Sequence, residues 1–163
     1  MNNKGQMYIF AAMILISMAV GLALANKRIH QEDTSFEELN ENYKDASVNA
    51  VNAFVHDEQS VAGRFESFAD RYMVYGRTRK PGYGMVYMLK DDDMVYVKNL
   101  LQESVVVEGQ TMEPNRKRIF TNTTDIDIDF RGFSYDFDLP QEPLALKTLL
   151  VAVSGEDVQV SIQ

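Results

Sequence analysis

The chain has 163 residues, no cysteine and no tryptophan, with 24 acidic against 16 basic residues and a formal net charge of −8. That length suits one globular domain with accessory segments. The acidity argues against a nucleic-acid partner, which needs concentrated Lys and Arg, and the missing thiols exclude disulfides, thiolate nucleophiles, Cys-ligated zinc and lipidated cysteine.

The amino-terminal run comes first. From Met7 to Ala25 no side chain is charged, and Ser17 is the only polar one besides the Tyr8 hydroxyl. Roughly nineteen residues of helix span about 28 Å, close to the hydrocarbon core of a bilayer. Lys4 precedes the run and Lys27 and Arg28 follow it, so flanking charge does not set its orientation. Three readings stand side by side. Ala23-Leu24-Ala25 fits the small-x-small cleavage site of an ordinary signal peptide, although the run is longer than the usual apolar region of one. The run also serves as a permanent anchor, or as a retained stem.

The stem reading rests on Lys4-Gly5-Gln6, placed directly before the apolar run after a short basic leader. This arrangement resembles the archaeal class III signal peptide of type IV pilin-like proteins. The resemblance implies a prepilin-type peptidase that cuts between Gly5 and Gln6. Residues 1–5 would then be a leader, and 6–25 a transmembrane or stem helix through which copies self-assemble via Met7–Ala25. In that family a glutamate stands five residues into the mature chain; here the position is Phe10.

After a polar linker at 26–33, the pattern predicts one amphipathic helix over 34–76. Thr34 with Glu37 makes a capping box at its start. Phe36, Leu39, Tyr43, Ala46 and Ala50 form an apolar stripe, which Phe54, Val61, Phe65, Phe68 and Tyr72 continue. Gly63 interrupts the stripe and Gly76 is the expected stop. Phe and Ala dominate the stripe, with little Leu, Ile or Val, so it suits packing on its own domain better than a coiled coil. His56 lies beside the stripe among acids and His30 in the linker, neither at a zinc spacing.

From 82 to 163 the period becomes two, and an antiparallel β domain is expected. Met85–Lys90 and Met94–Asn99 read as a hairpin around Asp91–Asp93. Further strands are expected in "ESVVVEG", at Arg118–Asn122, Asp125–Phe130 and Phe133–Leu139, and in a closing pair turning at Gly155-Glu156-Asp157. This makes about eight short strands. The expected fold is α+β: a long amino-terminal helix, apolar stem plus amphipathic stalk, packed on an antiparallel β-sheet or small β-sandwich. The resemblance implies the same architecture.

Candidate sites are few. Asp125, Asp127 and Asp129 alternate with Ile126 and Ile128, so the three carboxylates share one strand face, with Asp136 and Asp138 across the hairpin. Clustered carboxylate oxygens suit a hard cation such as calcium. The same alternation describes a solvated outer face over an apolar inner one, and strand carboxylates diverge where a calcium loop converges. Asp91–Asp93 is read the same way, as a hairpin tip. Asn122-Thr123-Thr124 matches a glycosylation acceptor in a turn. Tyrosines gather at Tyr72, Tyr75, Tyr83, Tyr87, Tyr96 and Tyr135, and basic residues at Arg77, Arg79 and Lys80 and at Arg116, Lys117 and Arg118. No nucleophile elbow, phosphate loop or metal-binding helix motif is visible, so no catalytic residue and no cofactor is expected. The leading expectation is a non-enzymatic, pilin-like structural or adhesion protein, anchored in the cell membrane by a single pass with its carboxy-terminal domain outside. The alternative is a secreted or tethered β-rich module that binds a ligand or cation, released by an ordinary signal peptide.

Overall fold

A computed structural model describes residues 36–55 and 60–163. The leader at 1–5, the stem at 6–25, the linker at 26–33, the processing residues Gly5 and Gln6, and both histidines lie outside the described residues.

The expectation of one long amino-terminal helix is overturned. The described residues hold two helices, α1 over 36–55 and α2 over Val61–Arg79, and nine strands in two antiparallel sheets, with more strand than helix. Ser60 sits outside helical space, at φ −51° and ψ 110°, and its hydroxyl accepts the Gly63 N–H at 3.4 Å, which caps α2. The rings of Tyr43 on α1 and Tyr72 on α2 meet at 5.2 Å between centroids. On one unbroken helix those residues would be about 43 Å apart. The apolar period runs through both helices because each lays its stripe on the same sheet. A periodicity alone does not report that the chain has reversed between them.

Gly76 is not the helix stop. The helix continues to Arg79, and the Lys80 N–H closes on the Gly76 carbonyl at 2.8 Å. Gly76 is buried, and a Cβ there would lie 2.5 Å from the Tyr83 ring. Its missing side chain lets α2 approach the sheet.

The strands are β1 Tyr83–Asp91, β2 Met94–Asn99, β3 Val105–Val107, β4 Gln110–Met112, β5 Lys117–Thr121, β6 Asp125–Phe130, β7 Phe133–Asp138, β8 Leu144–Ser154 and β9 Asp157–Ile162. One sheet has the order β5-β2-β1-β8-β9 and the other β4-β3-β6-β7. Residues Tyr83 to Leu89 of β1 are all buried, so this central strand is covered on both faces. Val86 and Met88 point into a core shared with Val105 and Val107 of β3 and Ile126, Ile128 and Phe130 of β6. The alternate residues Tyr83 and Tyr87 point the other way, toward Gly76 and Phe65 of α2. Residues 38–163 therefore build three layers: helices, five-stranded sheet, four-stranded sheet.

The crossing between the sheets is pinned by Asn99, which is fully buried. Its amide donates to the Glu103 and Met112 carbonyls at 2.9 and 3.0 Å, and its oxygen accepts the Leu101 N–H at 2.9 Å. One side chain thus satisfies backbone groups that the chain frees on leaving β2.

Candidate functional site

The strand carboxylates come first. On β6, Ile126, Ile128 and Phe130 are buried while Asp125, Asp127 and Asp129 are exposed. In the ladder Asp125 faces Asp138, Asp127 faces Asp136 and Asp129 faces Ser134. The result is an acidic patch on the outer face of the four-stranded sheet. Slight burial and then the neighbouring Asp127, Asp138 and Asp125 push the Asp136 carboxyl above its ordinary value. Among the described residues, no group of three or more His, Asp or Glu side chains is placed to hold a metal ion. Asp125, Asp127 and Asp129 share a face without converging on a point. Asn122 follows β5 in the left-handed region, at φ 55°, with its side chain exposed and its N–H on the Asp93 carbonyl at 3.0 Å.

The layer between helices and sheet holds a polar network that the sequence reading did not identify as a unit. Tyr43 and Thr148 share a hydroxyl–hydroxyl bond of 3.0 Å, Tyr72 donates to the Leu39 carbonyl at 2.6 Å, and Tyr83 donates to Asn40 Oδ1 at 3.2 Å. Burial raises all three phenols well above the ordinary tyrosine value, so they stay protonated. Lys98 on β2 reaches Asp70 at 2.7 Å and Glu66 at 3.0 Å, both on α2, and Lys117 on β5 takes the second Glu66 oxygen at 2.6 Å. Burial alone would lower the Lys98 pKa; Asp70 and Glu66 outweigh it and the net shift is upward. Lys98 is therefore held as a cation, unsuited to act as a neutral amine base. No buried side-chain nitrogen or oxygen among the described residues lacks a partner. This network clamps α1 and α2 to the sheet.

A furrow of about 660 Å³ runs along the outer side of the helix pair. Phe54 of α1 and Gly63, Arg64, Ser67, Phe68, Arg71, Tyr72 and Tyr75 of α2 line it. Arg64, Phe68, Arg71 and Tyr75 are four, three and four residues apart, which places them on one flank of α2. The Arg64 guanidinium lies 5.0 Å over the Phe54 ring, and that of Arg79 lies 5.6 Å over Tyr75. Both charged residues among the described lining are arginines. Aromatic rings beside two guanidinium groups make a lining that is chemically complementary to an apolar surface carrying carboxylates. The sequence signal was the Arg–Phe–Arg–Tyr spacing, which a search for a single core stripe passes over.

Among the described residues no helix is long and apolar enough to cross a membrane, and Met7–Ala25 lies outside them. Comparison with family models, with curated proteins and with solved structures returns no match.

Proposed function

We propose that this protein is a membrane-anchored, pilin-like structural or adhesion protein of the cell surface, non-enzymatic, with its β-rich domain outside the cell. The observation that carries the reading is Lys4-Gly5-Gln6 directly ahead of the uncharged Met7–Ala25. An apolar helix of that length is retained stably by a bilayer. Processing after Gly5 by a prepilin-type peptidase keeps it on the mature chain. The polar groups buried between helices and sheet are spent on one another, which suits a domain whose task is mechanical or adhesive. Asn122, exposed on its turn, is the position where such a surface protein would carry a glycan.

Mass spectrometry of the mature amino terminus, on protein from the native membrane, tests the proposal. A chain that begins at Gln6 and resists alkaline extraction supports it. A chain that begins at Asn26 and is soluble overturns it in favour of a secreted β-rich module. Replacing Gly5 should block cleavage and leave the five-residue leader in place.

A further inference from the structure

The geometry points to a second copy of this chain as the occupant of the α1–α2 furrow, in a two-fold dimer built from the two helical layers. The inference does not depend on how the amino terminus is processed.

The outer seam of α1 carries Glu38, Glu41, Asp45, Val48, Asn52 and Val55, which are three and four residues apart and all exposed. The outer flank of α2 carries Arg64, Ser67, Arg71, Val74 and Thr78 at the same alternating spacing. A three–four spacing is what keeps a seam on one side of a helix facing a partner helix. The two seams differ in sign. Acids fill the first half of α1 and arginines line α2, while Val48, Val55, Val74 and Tyr75 are 53%, 51%, 69% and 41% exposed. Half of the molecule's exposed large apolar side chains among the described residues are thus on this one layer.

Symmetry selects the pairing. Within one copy, Tyr43 contacts Phe68 and Tyr72, and the Tyr72 hydroxyl reaches the Leu39 carbonyl, so the helices are antiparallel. Asp45 is then level with Arg71, and Val48 with Ser67. A two-fold axis running along the helices, between two stacked layers, lays α1 of each copy over the furrow of the other. The same axis allows no sliding, so Glu41 and Asp45 of one copy come beside Arg71 of its partner, twice. A perpendicular in-plane axis would place α1 antiparallel on α1, setting Glu38, Glu41 and Asp45 against Val55, Asn52 and Val48, and so gives those acids no arginine partner. Helices about 28 Å long and about 10 Å apart offer roughly 500–600 Å² per copy, a total near the lower bound for a specific interface. The association is therefore expected to be of moderate affinity and sensitive to salt.

The natural chain has no cysteine, so site-specific cross-linking is clean. The test uses two differently tagged full-length copies, one Val48→Cys and one Ser67→Cys, co-expressed and oxidised in mild detergent. The expected result is a cross-linked dimer carrying both tags, absent when either variant is expressed alone. A Val48→Cys dimer without the second variant would mean α1 on α1 and overturns the inference, as does the absence of any mixed dimer. Adding Arg71→Glu to both copies should abolish the mixed dimer. Adding Glu41→Lys and Asp45→Lys to those same chains should restore it. All three positions are exposed, so unchanged thermal melting separates loss of pairing from loss of fold. If the charge swap fails to restore the band while the fold is intact, the inference is wrong.

Discussion

Tyr43 and Thr148 are joined by one hydrogen bond, and both are almost completely withdrawn from water. Removing one hydroxyl leaves the other buried without a partner, whereas removing both leaves nothing unsatisfied. Tyr43→Phe should therefore destabilise by about 1–3 kcal/mol in urea titration. The pair Tyr43→Phe and Thr148→Val should be less destabilised than Tyr43→Phe alone, since the shapes are kept. The Lys98 cluster makes a second prediction, one of pH. Burial alone would raise the Glu66 pKa, but hydrogen bonds from Lys117 and Lys98 lower it overall. A depressed carboxyl contributes stability that is present above its unfolded value of about 4.3 and is lost as pH falls through the lower folded value. Lys98 is shifted upward, so its contribution is present below about 10.4 and is lost as pH rises through the higher folded value. Lys98→Met should lose about 1–2 kcal/mol near neutrality, discounted because Glu66 and Asp70 keep access to water. The difference between wild type and variant should be flat at intermediate pH and shrink on both flanks. A difference that stays constant into acid and alkali would remove the ion cluster from the explanation.

Two glycines on one helix serve opposite ends, and the contrast shows what a sequence pattern can carry. Gly63 is exposed, with Ser60 Oγ 3.8 Å from a Cβ built there, while a Cβ at Gly76 would meet the Tyr83 ring at 2.5 Å. Gly63→Ala should gain up to about 1 kcal/mol from helix propensity. Gly76→Ala should lose about 1–3 kcal/mol through overpacking, despite the same propensity gain. Thermal melts of the two variants should move in opposite directions. Read as a string, both were simply breaks in a helical pattern. The hairpin strands were legible because alternation and turn residues are local: β6 begins and ends at the expected residues, and β2 likewise. β4 escaped because it has three residues, two of them exposed, and only the Glu108–Gly109 turn at φ 51° and 67° signals it. The break between α1 and α2 escaped because both helices need the same stripe. Its only local marks were the polar run before Ser60 and the Ser60 cap itself. The acidic strand face was legible as a pattern, while the furrow was not, since it exists only where two helices lie side by side.

Three layers divide the molecule's charge unequally, and the consequence can be measured. The uninterrupted apolar run of β1 marks a strand covered on both sides, so the five-stranded sheet is the middle layer. Helices occupy one outer face, and the other presents Asp125, Asp127, Asp129, Asp136 and Asp138 in two facing strands. Between the helices and the sheet, the Glu66 and Asp70 carboxylates are paired with Lys98 and Lys117. On the outer sheet the carboxylates face one another, and the Asp136 carboxyl is pushed upward, by desolvation first and then by Asp127, Asp138 and Asp125. The sign is opposite to that of Glu66. A raised carboxyl binds its proton more tightly in the folded chain, so that site favours folding at low pH and opposes it once ionised. Asp136→Asn removes the opposition, and the Tm should rise at neutral pH. The gain should shrink as pH falls through the ordinary aspartate range, where the wild-type carboxyl is already protonated. Salt separates this from a packing effect: ions screen exposed charges over roughly 10 Å at 0.1 M, so added salt should raise the wild-type Tm more than that of the variant. If the gain persists unchanged at high salt, amide hydrogen bonding or packing at position 136 explains it instead. Like-charge strain across β6 and β7 would then be excluded as a determinant of the molecule's stability.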